Sequence, residues 1–215
     1  PHDDEGLPMD QSAVSAIDDT VILQARDVKR SFGTTPALCG VSLDVHRGEL
    51  FGLVGPDGAG KTTLIRALAG LLGVEQGSVS VLGRDPLRDS ALRDAMGVMP
   101  QHYSLYGDLS VGENMRFFAR LYCLSREQYR DRSARLLELT RLAPFTGRRA
   151  DALSGGMYKK LGLICALLQS PDIVLLDEPT NGVDPISRRE FWELLYRFTA
   201  QGVLVLTTTA YMDEA

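Results

Sequence analysis

The nine residues Gly55-Pro56-Asp57-Gly58-Ala59-Gly60-Lys61-Thr62-Thr63 carry the clearest chemistry in this chain. They follow the apolar run Glu49-Leu50-Phe51-Gly52-Leu53-Val54 and precede residues 61–72, where Leu64, Leu68 and Leu71/Leu72 recur at helical spacing. A glycine-rich turn between a buried strand and a helix lets successive backbone N–H groups converge on an anion. The helix points its positive end at the same spot. In that setting the spacing G-x-x-x-x-G-K-[ST] is the pattern of a phosphate loop. Gly55, Asp57, Gly58, Ala59, Gly60, Lys61, Thr62 and Thr63 are therefore candidate nucleotide-binding residues. Lys61 can neutralise β- and γ-phosphate charge, and the Thr62 hydroxyl can ligate Mg²⁺. The plainer alternative, a glycine-rich turn with an incidental lysine, gives no reason for the flanking strand and helix.

A second pair of groups ends another buried run. Ile173-Val174-Leu175-Leu176 leads into Asp177-Glu178, and adjacent strand residues point to opposite sides. One carboxylate can join the Mg²⁺ shell, through a water, while the other orients or deprotonates the water that attacks in hydrolysis. Asp177 is the candidate for the metal and Glu178 for the water. Alone, such a pair would read as a solvated strand end; beside a phosphate loop it reads as a hydrolytic site.

These groups need a scaffold, and the hydrophobic pattern implies one. Residues 21–28 and 41–45 show partial period-two alternation, as antiparallel strands with one wet face do. Residues 78–82 look like a further strand, and 49–54, 173–176 and 203–207 like buried ones. Helices are expected over 61–72, twice within 112–142, over 157–169 before Pro171, and over 186–200 after Pro185. Strands alternating with helices make an α/β chain with a mostly parallel sheet covered on both faces. The helices between residues 100 and 170 break that rhythm, as an inserted helical subdomain would.

Composition excludes several classes. The chain has 215 residues, and 23 Lys plus Arg against 28 Asp plus Glu give a net charge of −5. Hydrophobic content of 44% and charged content of 24% are globular values. An acidic balance offers no electrostatic reason to expect a nucleic-acid binder. The longest apolar run, residues 161–168, is far short of the roughly 18 residues of a membrane span. Three cysteines, Cys39, Cys123 and Cys165, fit neither a disulfide framework nor a zinc spacing, which favours a reducing, cytoplasmic setting. Residues 1–20 are rich in Asp and hold no core face, so they read as a flexible acidic arm or a vector remnant, with the first Met at Met9.

Leu153-Ser154-Gly155-Gly156-Met157 resembles the signature motif of ATP-binding cassette (ABC) ATPases, and its order with the phosphate loop and Asp177-Glu178 is highly specific. The resemblance covers residues 20–215. With the loop at 55–63, Pro144-Phe145-Thr146-Gly147 and Val183-Asp184-Pro185-Ile186-Ser187-Arg188-Arg189-Glu190 it is greatest to bacterial exporter ATPase subunits, above all the first cassette of the tandem YbhF type, which carries two cassettes in one chain. It implies a P-loop NTPase (RecA-like) parallel-sheet core, an antiparallel β subdomain and an inserted α-helical subdomain over about residues 101–165. It also implies that the family continues past Ala215. Pro100-Gln101 looks like the Q-loop, which makes Gln101 a sensor and a Mg²⁺-shell residue. Asn181-Gly182-Val183-Asp184 looks like the D-loop, and Phe32 stands where the family stacks an aromatic ring on adenine. A core aromatic is the alternative for Phe32. ATP and Mg²⁺ would be held between two cassettes joined head to tail, with Ser154 and Gly156 acting in trans on the partner's ATP. The partners implied are a second cassette, fused or as a homodimer copy, and a membrane permease. The place implied is the inner face of the cell membrane, and the activity is ATP hydrolysis coupled to export, multidrug export included.

Two departures qualify the expectation. Met157 replaces the usual Gln of the signature, where its backbone still suffices. In Thr207-Thr208-Thr209-Ala210-Tyr211-Met212-Asp213-Glu214-Ala215, Ala210 occupies the switch-histidine position, and His2, His46 and His102 do not fit the motif. Alanine offers no hydrogen bond to a γ-phosphate or a water, so MgATP binding with slow hydrolysis is expected. The alternatives are a regulatory ATP-binding module without useful hydrolysis, or a non-transport cassette protein of translation or DNA repair.

Overall fold

The computed structural model describes residues 20–101 and 105–210. The expected acidic arm, apart from Thr20, therefore lies outside the described residues, as do His102 and residues 211–215. Among the described residues seven strands form two sheets. β1 (Val21–Phe32) and β2 (Thr35–His46) make an antiparallel hairpin, and β4 (Gln76–Val81) pairs antiparallel with the other edge of β1. The second sheet is parallel throughout. It runs in the order β3 (Leu50–Val54), β7 (Leu204–Thr209), β6 (Ile173–Asp177), β5 (Met96–Met99). The expected combination of a parallel core with a separate antiparallel sheet is what forms.

The parallel sheet is filled on both faces, and β6 shows how. Every residue of β6 is buried. Ile173 and Leu175 join a core with Leu64, Ile65 and Leu68 of α1 (Lys61–Leu68) and with Leu23 and Val81 of the antiparallel sheet. Val174 and Leu176 join a second core with Leu163 and Ile164 of α4 (Gly155–Leu167) and Phe191 and Leu195 of α5 (Pro185–Thr199). This is the two-residue period of a strand covered on both sides, which is why the sequence shows an unbroken apolar run rather than an alternation. Between β5 and α4 lie α2 (Val111–Leu121) and α3 (Arg126–Leu139), each begun by a reciprocal capping box, Ser110 with Glu113 and Ser125 with Gln128.

Two details differ from the sequence-based expectation. The first helix stops at Leu68 rather than continuing to residue 72, because Leu71 N–H bonds the Arg66 carbonyl and Gly70 N–H the Ala67 carbonyl. This 6→1 and 5→2 closure terminates a helix. β5 is an addition: of its four residues two are methionines, one is a glycine and only Val98 is β-branched, a weak strand signal.

α4 and α5 are joined by polar groups as well as by packing. The Lys160 ammonium, almost buried, bonds the Glu190 carboxylate, which Arg141 also approaches at 3.6 Å. The bond from Lys160 holds the Glu190 carboxyl below the usual carboxylate range. A folded pKa below the unfolded one gives stability that is present above the unfolded value and lost as pH falls through the folded one. The stability gap between wild type and Glu190→Gln should therefore be open at neutral pH and close below about pH 4, as read by urea unfolding at each pH. Phe191 is 1% exposed and sits at the centre of the α4–α5 core. Phe191→Ala should cost about 3–5 kcal/mol in the same measurement, with the m-value unchanged.

Candidate nucleotide site

In-register parallel pairing brings the carboxyl ends of the strands to one edge. Val54 lies opposite Thr209, Thr208 opposite Asp177, and Leu176 opposite Met99. The segments leaving those ends are the glycine loop, Asp177-Glu178 and the stretch to Gln101, so residues far apart in sequence meet at the crevice where open α/β sheets bind ligands.

The loop delivers an unusual helix start. Gly60 is the N-cap of α1, with φ 88°, no side-chain hydrogen bond caps the helix, and its first turn has no acidic residue. The φ alone favours glycine. A Cβ there would also stand 2.2 Å from the Ala37 carbonyl oxygen, so the β2 backbone fixes the loop against the helix. The first-turn N–H groups of a helix have no intrahelical partner, and with no capping side chain they remain available to an anion.

Lys61 opens that helix and is buried at 9% exposure. Its Nζ donates to the carbonyls of Gly55 (2.7 Å) and Pro56 (3.1 Å) and pairs with Glu178 Oε1 at 3.2 Å. Glu178 is 7% exposed and its second oxygen accepts from Gln101 Nε2 (2.8 Å) and Asn181 Nδ2 (3.3 Å). Asp177 is 2% exposed. The two acids are thus not a solvated strand end. Thr208, fully buried on β7, joins them: its hydroxyl donates to Asp177 Oδ1 (2.8 Å) and accepts from the Glu178 backbone N–H (2.9 Å). Glu178 takes a φ of 48°, a left-handed conformation that a non-glycine residue holds only where its surroundings enforce it. On α4, burial pushes the Lys159 ammonium pKa down, against the opposing pull of the Glu178 charge.

An open cleft of 290 Å³ lies over these groups, lined by Phe32, Gly58, Gly60, Lys61, Thr62, Thr63, Gln101 and Glu178. Phe32 is half exposed, with the Arg30 guanidinium 5.3 Å from its ring centroid. It is therefore no core aromatic, and it has a ring face to offer a planar ligand. Asp57 borders this cleft and also a smaller one of 100 Å³, whose wall includes Glu178, Asn181 and Ala210. Ala210 contributes only a methyl group to that wall.

Ser154 and Gly156 stand apart. Ser154 is exposed and caps α4, its hydroxyl accepting from Met157 N–H at 3.3 Å, and neither residue lines the two clefts. A Cβ on Gly156 would lie 2.5 Å from Ser187 Cβ at the start of α5, so the turn is pressed against the neighbouring helix. The sequence reading did not single out Thr208 or the contact of Asn181 with Glu178. Three consecutive threonines ending a buried strand were the available signal for the first. For the second there was only the motif around Asn181, which does not say where its amide points.

The comparisons with known proteins agree with this geometry. The family model described as "ABC transporter" matches residues 38–181. The chain is 52% identical over 181 residues to "Probable multidrug ABC transporter ATP-binding protein YbhF" of Escherichia coli K12, a match spanning 84% of this chain and 31% of that one. It is 42% identical over 197 residues to "Nod factor export ATP-binding protein I" of Cupriavidus pinatubonensis, spanning 91% of this chain and 61% of the relative. The solved structure of cbiO1 from Clostridium perfringens, part of the ABC transporter complex cbiONQ, superposes with a TM-score of 0.81 at 27% identity, covering 90% of this chain and 80% of that one. The matches thus span about a third to three-fifths of the length of these curated relatives. With the phosphate loop, the paired acids and the signature turn all placed on this scaffold, the chain belongs to the ABC transporter ATP-binding family.

Proposed function

We propose that this chain binds MgATP in the cleft between Phe32 and Glu178 and serves as one ATP-binding half of an export transporter's motor. The observation that carries the assignment is the uncapped amino end of α1 behind Gly60, with Lys61 and Glu178 buried beside it. Phe32 stacks on the adenine. The N–H groups from Gly58 to Thr63 receive the phosphates, and Lys61 exchanges its two carbonyl partners for phosphate oxygens. The Thr62 hydroxyl, Asp177 and Gln101 would hold Mg²⁺, Asp177 through a water, since that ion takes few protein ligands, favours oxygen and keeps several waters. When bound it neutralises charge on the phosphate oxygens. Glu178, oriented by Gln101 and Asn181, accepts the hydrogen bond of the attacking water.

The second cassette, supplied by the same polypeptide or by another copy, closes head to tail so that the Ser154–Gly156 turn meets its ATP. The exposure of Ser154 and Gly155, away from this chain's own cleft, supports this reading, while Gly156 is buried against α5. Closure and reopening then act through residues 101–165, the helical subdomain, on a membrane permease, which places the chain at the inner face of the membrane. The export named for the Nod factor relative supports the direction of transport, and the multidrug transporter named for the other supports a transport role. Because Ala210 lacks the polar group of a switch residue, this cassette hydrolyses slowly; a purely regulatory ATP module is the second reading that Ala210 favours.

Two measurements test these roles. Titration calorimetry with MgATP should show saturable binding that Lys61→Ala abolishes, and Gly60→Ala should weaken it at least about tenfold by closing on the Ala37 carbonyl. Equal affinity in all three proteins would refute the site. In single-turnover hydrolysis the wild type should be slow and Glu178→Gln slower still, with Ala210→His faster than wild type by about tenfold or more. A wild type as slow as Glu178→Gln, with no gain from Ala210→His, would leave the regulatory reading standing.

A further inference from the structure

A separate cavity of 440 Å³ opens at the opposite edge of the parallel sheet. In its wall Asp172 and Val203 directly precede β6 and β7, and Arg47 lies in the turn from β2 to β3. These are the amino ends of strands whose carboxyl ends carry the nucleotide cleft, and the five residues of β6 set the two apart by roughly 16 Å. α3 closes the cavity with Arg132, Arg135 and Leu136, and α5 contributes Phe198.

Its charges do not cancel. Arg47 pairs with Asp172 at 3.1 Å and is neutralised. Arg132 and Arg135 lie one turn apart on the same face of α3, and both spend hydrogen bonds on neutral oxygens. Arg132 Nη1 donates to the Leu168 carbonyl (2.9 Å) and Arg135 Nη2 to the side-chain carbonyl of Gln201 (2.6 Å). Neither forms an ion pair with a carboxylate among the described residues. Two uncompensated guanidinium groups thus face one cavity in a chain whose net charge is −5. Beside them Leu136 and Phe198 are buried at 5% and 6% exposure and form an apolar floor. Guanidinium groups select carboxylates and phosphates by paired N–H donors, and the volume falls within the roughly 300–1,000 Å³ of small-molecule sites.

We infer that this cavity binds a small amphiphilic anion, a medium-chain carboxylate or alkyl phosphate, with its head between Arg132 and Arg135 and its tail over Leu136 and Phe198. The occupant ties α3 to the strand bases and to the end of α5, so it stiffens the contact between these helices and the sheet from the side remote from ATP. The inference does not depend on the ATP reading.

Titration calorimetry with octanoate, octanol and inorganic phosphate tests it. Octanoate should bind saturably at one site, and octanol and phosphate at least about tenfold more weakly, since each lacks half of the recognised chemistry. Arg132→Gln/Arg135→Gln should weaken octanoate at least about tenfold while MgATP binding and Tm stay as in wild type. If the double variant fails to fold, Arg135→Gln alone, at an exposed position, should weaken octanoate several-fold. Phosphatidylglycerol vesicles that displace octanoate would identify a lipid headgroup as the natural source, and vesicles that do not would identify a free acid; either supports the site. No saturable octanoate binding, octanol binding as tight as octanoate, or folded arginine variants that bind like wild type would overturn it.

Discussion

The amino end of α1 has donors that nothing in its own sequence satisfies, and the rest of the site depends on that deficit. Every other α-helix described is capped by a side chain: Ser110 at α2, Ser125 at α3, Ser154 at α4 and Asp184 at α5. Only α1 begins on a glycine with no capping hydrogen bond and no acid in its first turn. A side-chain cap is the cheaper arrangement, by about 1 kcal/mol over alanine though only by roughly a few tenths of a kcal/mol over glycine. An uncapped start persists here because the tight approach of Ala37 leaves room for no side chain at Gly60. The stability forgone is kept as an open set of N–H groups at the sheet's carboxyl edge, where a phosphate is the natural acceptor.

Charge around that opening is balanced within the protein. Lys61 and Glu178 are both nearly buried, and each would be costly alone. They meet at 3.2 Å, and their remaining polar atoms find neutral partners: two backbone carbonyls for the ammonium and two amides for the carboxylate. Thr208 completes the set by donating to one acid while accepting from the backbone of the next. A buried network in which every member is bonded holds one geometry. Such a geometry is the condition for electrostatic help to developing charge without reorganisation.

Much of this was legible in the sequence, for identifiable reasons. The glycine loop shows because its spacing is imposed by phosphate geometry, and β6 because a strand covered on both faces must be apolar at every position. β5 escaped because its neighbours, rather than its own propensity, make Met96–Met99 a strand: it pairs with β6 and packs beside α4, where a Cβ on Gly97 would meet the Ala166 carbonyl at 2.8 Å. The helix after the loop was read too long because Leu71 and Leu72 keep the helical spacing past the closure at Gly70. The run of threonines ending β7 marks where the Thr208 bridge forms, but which acid it reaches, like the direction of the Asn181 amide, depends on strand register and rotamer.

The α4–α5 clasp bears on how the two halves of the chemistry stay in step. Asn181 bonds Glu178, and two residues later the chain passes Val183 and begins α5, whose cap Asp184 accepts from Ser187. Ser187 is the residue pressed against Gly156, and one turn further along α4 Lys160 is bound to Glu190. From Glu178 to the Ser154 turn the path thus runs through a tight loop, one close approach at Gly156 and an ion pair buried on its lysine side. Packed elements of this kind move as bodies rather than deform. A rearrangement around Glu178 is therefore transmitted to the position of the Ser154 turn rather than absorbed along the way, and a loosened clasp would separate the two even with every group in the cleft intact.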